Sequence, residues 1–363
     1  MITLFFCFLV IFFTTYIFTI ILIPLIIKLS LASGAIDKPG LRKIHTHSKP
    51  RLGGLAFYFS FWVILSICWI LGTIVGWTDY SNHKFLTSLL IGSFIIFIVG
   101  LYDDIFSGGP YIKLTAQIIG SIIVILSGTQ IYMFIPYKFI GIILTLIWIV
   151  GITNSFNLLD NMDGLSGGLG AICSLMMFIM GIQQGSVLLI LISVIFCGSM
   201  VGFLKYNFYP SKIFMGDSGS YFIGFILSVI SVETTYVIPD MKTPIAIIAP
   251  LLIFSVPIFD TLSVIYIRIR EKRPIFRGDM SHFSHRLTAI GMTQKQAVLF
   301  IYLVSFVIGI SAIFLPHVNF YQAIVLLAQA CTIFAIIVIL MRTATNVVEK
   351  NIGRDFDDYS EYY

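Results

Sequence analysis

Charged residues are scarce in this chain of 363 residues: only 11% are Asp, Glu, Lys or Arg, while 58% are hydrophobic. A soluble domain carries about 25% charged residues, and a water-soluble globule of this size cannot bury so much apolar side chain. The composition therefore excludes a disordered chain and a nucleic-acid reader with a basic face, and it indicates a protein whose solvent is a lipid bilayer. The net charge of +5 means little, because in membrane proteins the position of charge matters more than its sum.

Cysteine is rare as well. The five cysteines lie singly inside apolar runs and no CxxC occurs, which excludes a secreted disulfide scaffold and favours their interpretation as small apolar helix residues. The sequence also lacks GxxxxGK[ST], so it has no P-loop, and it lacks HExxH, which argues against a zinc site.

Long apolar runs are what the sequence has in abundance. A helix needs about 20 apolar residues to cross the hydrocarbon core, and eleven stretches qualify. The sequence therefore predicts an all-α polytopic integral membrane protein with a single transmembrane domain, 1–341, and a cytoplasmic tail, 342–363. The predicted spans are roughly 2–27, 54–76, 85–101, 114–133, 138–156, 165–183, 186–204, 219–238, 245–267, 296–315 and 321–341.

The positions of Lys and Arg predict the orientation. With eleven spans and the N-terminus outside, 19 of the 22 basic residues fall on the cytoplasmic side, and only Lys84, Lys138 and Lys242 fall outside. Because cytoplasmic loops of membrane proteins are enriched in Lys and Arg, this split predicts an outside N-terminus and a cytoplasmic C-terminus.

The same topology places five carboxylates on the cytoplasmic face. They lie at the membrane edge in three short segments, and they are Asp103, Asp104, Asp160, Asp163 and Asp217. Each alone could be a solvated loop residue, but a cluster at a bilayer edge is costly unless it is paired or binds a cation. Oxygen ligands on short loops suit a hard cation such as Mg²⁺.

Two other groups of polar residues accompany the carboxylates. Asn154 and Asn157 lead a stripe that continues to Asp160 and Asp163 at intervals of three residues. It either forms hydrogen bonds between helices or faces a substrate or metal. The basic loops contain His282, His285 and Arg286 in one segment and His45 and Arg51 in another. Topology or anionic lipid alone would explain single basic residues, but Arg forks and His donors together suit phosphate oxygens.

The economical interpretation combines these features. Carboxylates for Mg²⁺, basic loops for a polyanion and a wall of apolar helices favour phosphoryl transfer between a soluble nucleotide-activated donor and a lipid phosphate. A cation-coupled transporter is the alternative of a different class. Transporters keep ionisable groups near the membrane midplane within repeated halves, whereas here only Glu233 and Asp260 lie within spans and no repeat is visible.

Five ordered motifs carry a resemblance to a known family. The motifs are RKIHTHSKPRLGG, GLYDD with the downstream Lys113, TNSFNLLDNMDGLSGG, FLKYNFYPSKIFMGDSGS and HFSHRL, and the similarity runs in order from about residue 37 to 290. The chain resembles the polyprenyl-phosphate N-acetylhexosamine-1-phosphate transferases. The resemblance implies Mg²⁺-dependent transfer (with Mn²⁺ as the alternative cofactor) of a sugar 1-phosphate from a UDP-N-acetylhexosamine to undecaprenyl phosphate, with release of UMP, at the bacterial cytoplasmic membrane.

With this resemblance, we predict roles for fourteen residues. Asp217 and Asn157 are predicted to bind the metal. The predicted catalytic residues are Asp103, Asp104, Asp160 and Asp163. The predicted substrate-binding residues are Lys113, Asn154, Asn207, His282, His285, Arg286, His45 and Arg51. Membrane lipid is the expected surrounding, nucleic acid is not an expected partner, and a homodimer is left open as an alternative to a monomer.

Two branches of that family compete for this chain. The branch that begins surface glycans such as O-antigen and teichoic acid typically reads HLHHRL, and this chain reads HFSHRL, with Ser284 in place of the middle His. The peptidoglycan branch, which transfers phospho-MurNAc-pentapeptide, carries a different His-rich segment. The sequence therefore favours the surface-glycan branch and UDP-GlcNAc as donor. Because Ser284 departs from the motif of that branch, a donor that carries a 6-deoxy amino sugar stays open as an alternative.

Overall fold

A computed structural model describes residues 2–37, 48–76, 82–106, 108–131, 137–234, 244–272, 274 and 281–360. These residues form thirteen α-helices, and the short 3₁₀ turns Pro244–Ile248 and Leu315–His317 flank two of them. The helices are α1 Ile2–Ser33, α2 Gly54–Val75, α3 His83–Phe106, α4 Pro110–Ser127, α5 Lys138–Leu159, α6 Leu165–Gln184, α7 Val187–Asn207, α8 Gly216–Thr234, α9 Ala249–Ile253, α10 Ser255–Arg270, α11 Phe283–Ala289, α12 Gln294–Phe314 and α13 Phe320–Ser360.

The only strands among the described residues are two of two residues each. Strand β1, Ile36–Asp37, pairs antiparallel with β2, Lys49–Pro50. The ribbon lies between α1 and α2, and the Phe214 N–H donates to the Pro50 carbonyl oxygen at 2.8 Å. This contact ties the first loop of the chain to the segment that precedes α8.

Helix α8 is the centre of the bundle. It packs against α2, α3, α5 and α6, and every one of its residues is buried except Asp217 and Glu233, which lie near its two ends. Since protein rather than lipid surrounds this helix, it tolerates a stretch such as GDSGS that a lipid-facing helix would not. The two terminal helices show the opposite pattern, because protein buries only 22% of the residues in the apolar stretch of α1 and 17% of those in the apolar stretch of α13.

Small residues let the neighbours of α8 approach its first turn. A Cβ on Gly100 of α3 would lie 2.5 Å from the Cα of Ser218, and a Cβ on Gly54 of α2 would lie 2.7 Å from the Cα of Gly219. Real side chains essentially never come so close, so only glycine allows these backbones to touch. The close approach brings the end of α3 to the start of α8.

A sharp break separates α9 from α10, whose axes differ by 72°. Pro257 lies in the first turn of α10. In a continuous helix its ring would clash with the carbonyl of Ile253, four residues earlier, and it has no N–H to donate. The Cys173 thiol on α6 is placed to donate to that carbonyl oxygen at 3.4 Å. Cys173 is one of five cysteines, all of them free, as the sequence predicts.

The expected number of spans is only partly recovered. Within the described residues, nine helices are long and apolar enough to cross a membrane, and the bent pair Ile245–Ile253 and Ser255–Arg270 makes ten if it forms one span. The remaining predicted span, 219–238, is the polar central helix α8, which does not meet that criterion. Helix α13 continues past residue 342 to Ser360, into the segment that the sequence predicts to be the cytoplasmic tail.

We expect Gly100→Ala to destabilise the fold. The added methyl would force α3 away from α8, and overpacking of this kind costs about 1–3 kcal/mol. Gly151→Ala on α5 is the matched control, since nothing lies within 4 Å of its Cβ position and alanine is the better helix residue. Thermal unfolding in detergent would measure both, and equal melting temperatures for the two variants would contradict the close-approach argument.

Candidate functional site

The first turn of α8 is held by a carboxylate from another helix. One oxygen of Asp104, at the end of α3, accepts from the backbone N–H of Asp217 at 2.7 Å. The other accepts from the backbone N–H of Ser218 at 3.0 Å and from its hydroxyl at 2.7 Å. The first N–H groups of a helix have no partner within the helix, so the buried Asp104 satisfies them and also complements the helix dipole.

Asp217 is the centre of a cluster of opposite charges. Its Oδ2 accepts from the Lys113 Nζ at 2.5 Å, and that nitrogen also lies 2.6 Å from Asp103 Oδ2. Its Oδ1 lies 3.4 Å from Nη2 of Arg51, whose Nε lies 3.3 Å from Asp104 Oδ1. Two cations therefore bridge three carboxylates that come from two different helices.

The short turn between α3 and α4 explains why Lys113 reaches Asp103. Helix α4 begins at Pro110, directly after Gly109. Proline is favoured at this position because its fixed φ suits the first turn of a helix. Lys113 then lies one turn into α4, facing the last turn of α3. Arg51 comes from the other side, from the segment that follows β2. Burial lowers its pKa, but the carboxylates of Asp104 and Asp217 outweigh that effect, so the pKa of Arg51 is raised.

Asn157 joins the cluster from the end of α5. Its Nδ2 lies 3.3 Å from Asp217 Oδ1 and 3.0 Å from the Ser220 hydroxyl oxygen. In this arrangement the amide group directs its N–H₂ toward Asp217. Its carbonyl oxygen would face that side only after the amide turned over.

An open cavity of about 970 Å³ adjoins this cluster. Arg51, Asn157 and Asp217 form part of its wall, so the charged cluster meets the cavity at one side. Its remaining lining residues are Asp37, Ser48, Lys49, Pro50, Asp160, Asn161, Met162, Asp163, Asn207, Tyr209, Pro210, Ser211, Lys212, Phe214, Gly216, His285 and Gln294.

Two of the predicted residues build the cavity wall. Asp163 Oδ2 accepts from the Ser211 backbone N–H at 2.9 Å and from Lys49 Nζ at 3.2 Å, so it ties three loops together. Asn207 is buried; its Oδ1 accepts from the Gly164 N–H at 3.1 Å and its Nδ2 donates to the Ile213 carbonyl at 2.9 Å. Both side chains hold loops in place, although both were predicted to act on substrate.

Asp160 directly follows α5 and lines the cavity. Burial raises the pKa of its carboxyl group to about 8, and the nearby carboxylate of Asp217 adds to the effect. Without a bound cation, the group therefore carries a proton for much of the time near neutral pH. A cation bound nearby would favour the carboxylate instead.

The two histidines of the HFSHRL segment have different surroundings: His282 is bonded to another helix, and His285 lines the cavity. His282 is buried, and its Nδ1 lies 2.8 Å from Asp260 Oδ2 on α10. Asp260 Oδ1 also accepts from the Phe283 N–H at 2.6 Å, so this carboxylate anchors the first turn of α11. His285 lines the cavity, whereas a guanidinium nitrogen of Arg286 lies 4.0 Å from the Met341 sulfur on α13.

Asn154 forms a hydrogen-bonded pair between two helices, which is one of the two alternatives that the sequence left open. Its Nδ2 donates to Gln117 Oε1 at 2.7 Å, and Gln117 Nε2 lies 3.4 Å from Asn154 Oδ1. This reciprocal pair links α5 to α4, and Asn154 is not part of the cavity wall. His45 lies outside the described residues.

Mg²⁺ is a chemically suitable occupant of this site. Among the described residues, no three His, Cys, Asp or Glu side chains are grouped as a complete metal site. Mg²⁺ usually keeps several waters and binds through one or two carboxylates together with substrate phosphates. Asp217, Asp160 and, once its amide has turned over, the carbonyl oxygen of Asn157 are the donors that such a cation would meet here.

Sequence reasoning missed some residues that shape the site. From the sequence, Lys49 is only one of the basic residues of the first loop, whereas in the structure it belongs to strand β2 and contacts Asp163. Asp260 was considered only as an ionisable group within a span. No pattern in the sequence pairs it with His282, because 22 residues separate them. Asn161 lines the cavity and lies directly after Asp160, but the stripe of every third residue passes over it.

Comparisons with known proteins agree on one family. The model of the family described as Glycosyl transferase family 4 matches residues 86–235. A Bacillus subtilis (strain 168) protein named a probable undecaprenyl-phosphate N-acetylglucosaminyl 1-phosphate transferase is 33% identical over 352 residues, which cover 95% of this chain and 92% of the relative. A Mycobacterium leprae (strain TN) decaprenyl-phosphate N-acetylglucosaminephosphotransferase is 32% identical and covers 74% of each chain. An Escherichia coli O157:H7 undecaprenyl-phosphate alpha-N-acetylglucosaminyl 1-phosphate transferase is 28% identical and covers 79% of this chain and 78% of the relative.

We expect the two adjacent aspartates to respond differently to the same substitution. Asp104→Asn places an amide N–H₂ where donors already converge. It should therefore lower the free energy of unfolding by about 1–3 kcal/mol for each N–H left unsatisfied. Asp103→Asn removes only the charge that faces the Lys113 ammonium, so this variant should lose less stability. Thermal unfolding of both variants in detergent measures this, and a more stable Asp104→Asn than Asp103→Asn would contradict the helix-holding role of Asp104.

Proposed function

The chain belongs to glycosyl transferase family 4, and from this premise we propose that it transfers N-acetylglucosamine 1-phosphate from UDP-GlcNAc to undecaprenyl phosphate and releases UMP. One observation carries the proposal: Asp217, Lys113 and Arg51 converge beside a polar cavity of about 970 Å³ at one end of an apolar helix bundle. A soluble polyanion and a membrane lipid can both reach such a place. The names of the relatives favour this donor over the peptidoglycan precursor.

The setting of the reaction is part of the proposal. The apolar helices place the protein in a membrane, and we assign it to the bacterial cytoplasmic membrane with the cavity facing the cytoplasm, as the distribution of Lys and Arg predicts. The single domain 1–341 would then carry out the first membrane step of cell-surface polysaccharide synthesis. The acceptor is a membrane lipid and the donor is water-soluble, so the site must lie at the boundary between membrane and water.

In this proposal the main obstacle is repulsion between two phosphate-bearing substrates. Arg51 and Lys113 supply positive charge next to Asp217, and cations placed in advance stabilise charge that develops on phosphate oxygens. Asp217 and Asn157 would hold Mg²⁺, which supplies further charge neutralisation for the diphosphate when bound. Asp104 fixes the start of α8 and so positions Asp217, without itself reaching substrate.

Asp103 takes the remaining role beside the acceptor. The lipid phosphate is already an anionic oxygen nucleophile, since the second pKa of a phosphate monoester is about 6. Direct attack on the β-phosphorus therefore gains little from a covalent relay through an aspartate. We assign Asp103 to orient Lys113 and to accept the proton that remains on the lipid phosphate near neutral pH.

The activity and its metal requirement are tested together. Purified protein with UDP-GlcNAc, undecaprenyl phosphate and Mg²⁺ should release UMP; EDTA should abolish the release, and added Mg²⁺ or Mn²⁺ should restore it. Asp217→Asn should lose most of the activity, by roughly 10²-fold or more if charge stabilisation is lost. Glu233→Gln, at the opposite end of the same helix, is the matched control and should stay active. Full activity of Asp217→Asn, or release of UMP that EDTA does not affect, would contradict the metal assignment.

Isotope exchange without acceptor tests direct attack. The protein is incubated with UDP-GlcNAc, Mg²⁺ and labelled UMP in detergent free of polyprenyl phosphate. A covalent route must move label into UDP-GlcNAc, because its first half-reaction runs reversibly alone. Direct attack predicts no exchange until undecaprenyl phosphate is added. Lipid-free exchange that Asp103→Asn abolishes would overturn the mechanism while leaving the overall reaction intact.

A further inference from the structure

A hydrogen bond joins α11 to the loop that follows α5. The Ser284 hydroxyl donates to Asn161 Oδ1 at 2.7 Å, across 123 residues of chain. Asn161 is partly exposed and lines the cavity. Ser284 is 1% exposed and is not part of the cavity wall. The two ends of this bond therefore have different access to a ligand.

Because Ser284 lies behind the cavity wall, it can affect the choice of donor sugar only indirectly. A side chain that is buried behind the wall does not touch a molecule in the cavity. Any effect of Ser284 on the choice of sugar must therefore pass through a residue that does line the cavity. Asn161 is the residue to which its hydroxyl is bonded. Because Ser284 is buried, a change to the larger His would alter packing together with hydrogen bonding, so smaller substitutions test recognition more directly.

The amide of Asn161 retains capacity for a ligand. Its Oδ1 accepts from Ser284, and its Nδ2 donates to the Leu158 carbonyl at 2.9 Å. A primary amide has two N–H hydrogens and two carbonyl lone pairs, so one donor and one acceptor remain. The two existing bonds fix the plane of the amide and hence the direction of the remaining pair.

The chemistry of an amide indicates what it would bind. Phosphate oxygens are best matched by Arg, Lys or a metal ion, which the cluster around Asp217 provides. An amide with both a donor and an acceptor matches a neutral group that also has both, such as a sugar hydroxyl, an acetamido group or the imide edge of uracil. All of these belong to the part of a UDP-sugar that is not phosphate.

We propose that Asn161 hydrogen-bonds a neutral polar group of the UDP-sugar donor, and that Ser284 is the positioning residue that sets the orientation of its amide. This inference rests on the proposed function for the identity of the donor. It assigns donor recognition to a residue outside the charged cluster, and it gives Ser284 an indirect role in place of a direct contact with the sugar.

A double-mutant cycle tests the proposal. The variants are Ser284→Ala, Asn161→Ala and the two combined, with KM for UDP-GlcNAc, KM for undecaprenyl phosphate and kcat as readouts. Loss of one neutral hydrogen bond predicts a KM for UDP-GlcNAc raised roughly three- to tenfold in each single variant. The KM for the lipid and kcat should change little. The combined variant should be no worse than Asn161→Ala, because Ser284 acts through Asn161.

Two further variants separate positioning from stability. Ser284→Thr keeps a hydroxyl and should recover most of the affinity that Ser284→Ala loses. Ser166→Ala removes another buried hydroxyl, which bonds to the Phe156 carbonyl oxygen at 3.2 Å, and should leave the KM for UDP-GlcNAc unchanged. Multiplicative effects of the two single variants, or an equal KM change in Ser166→Ala, would overturn the positioning role.

Binding measurements keep this inference distinct from the proposed function. The affinities of wild type and Asn161→Ala are measured for UDP and for UDP-GlcNAc. Weaker binding of both ligands by the variant indicates a contact to the nucleoside, and weaker binding of UDP-GlcNAc alone indicates a contact to the sugar; both support the proposal. Unchanged affinity for both ligands overturns it. A wild-type protein that binds these ligands but releases no UMP would contradict the proposed function alone.

Discussion

The carboxylate of Asp104 at the first turn of α8 is the interaction on which the site depends. A helix that begins inside a bundle has N–H groups that water cannot reach, and an unsatisfied buried donor costs about 1–3 kcal/mol. Asp104 satisfies two of them and forces the ends of α3 and α8 together. Gly216, with φ at +72°, completes the fit, because a Cβ there would collide with the Asp104 carboxylate and the Arg51 carbonyl oxygen.

This constraint also determines the electrostatics of the site. Once α3 and α8 meet, Asp103, Asp104 and Asp217 lie within reach of the same two cations, Lys113 and Arg51. Each of these two cations contacts two carboxylates: Lys113 contacts Asp103 and Asp217, and Arg51 contacts Asp104 and Asp217. A diphosphate that entered the cavity would compete with Asp217 for Arg51, and a divalent cation would compete with Arg51 for Asp217. In the proposed reaction, ligand and metal binding would therefore be coupled through the same side chains.

The sequence predicts the presence and approximate starts of most long helices and the gathering of carboxylates, because hydrophobic length and charge sidedness are local properties. It does not predict which polar residues face the cavity. Asn154 and Asn157 lie one helical turn apart, yet the first pairs with Gln117 on α4 and the second reaches Asp217. His282 and His285 differ in the same way. His282 pairs with Asp260 on another helix, whereas His285 lines the cavity. These outcomes depend on tertiary partners far away in the chain, and neither spacing nor composition encodes them.

The number of membrane-spanning helices also depends on tertiary contacts that apolar length does not report. Apolar length identifies helices that contact lipid, and α1 and α13 satisfy it easily. Helix α8 is wrapped by other helices, so its residues are selected for contact with protein, including the serines and glycines of its first turn. The sequence does predict this span as 219–238, but among the described residues α8 is not one of the nine helices long and apolar enough to cross a membrane, although it carries the metal-site candidate Asp217.

The enclosure of α8 has a consequence for how the protein is made. A segment with GDSGS at one end and Glu233 at the other partitions poorly into lipid by itself, whereas α7 before it is strongly apolar. During synthesis, α8 enters the bilayer favourably only when α2, α3, α5 and α6 are already there to receive it. The chain order provides this, since all four precede α8. The order of translation is therefore also an order of assembly, in which Asp217 is placed only on a scaffold that has already formed, and His285 on α11 joins the cavity wall afterwards.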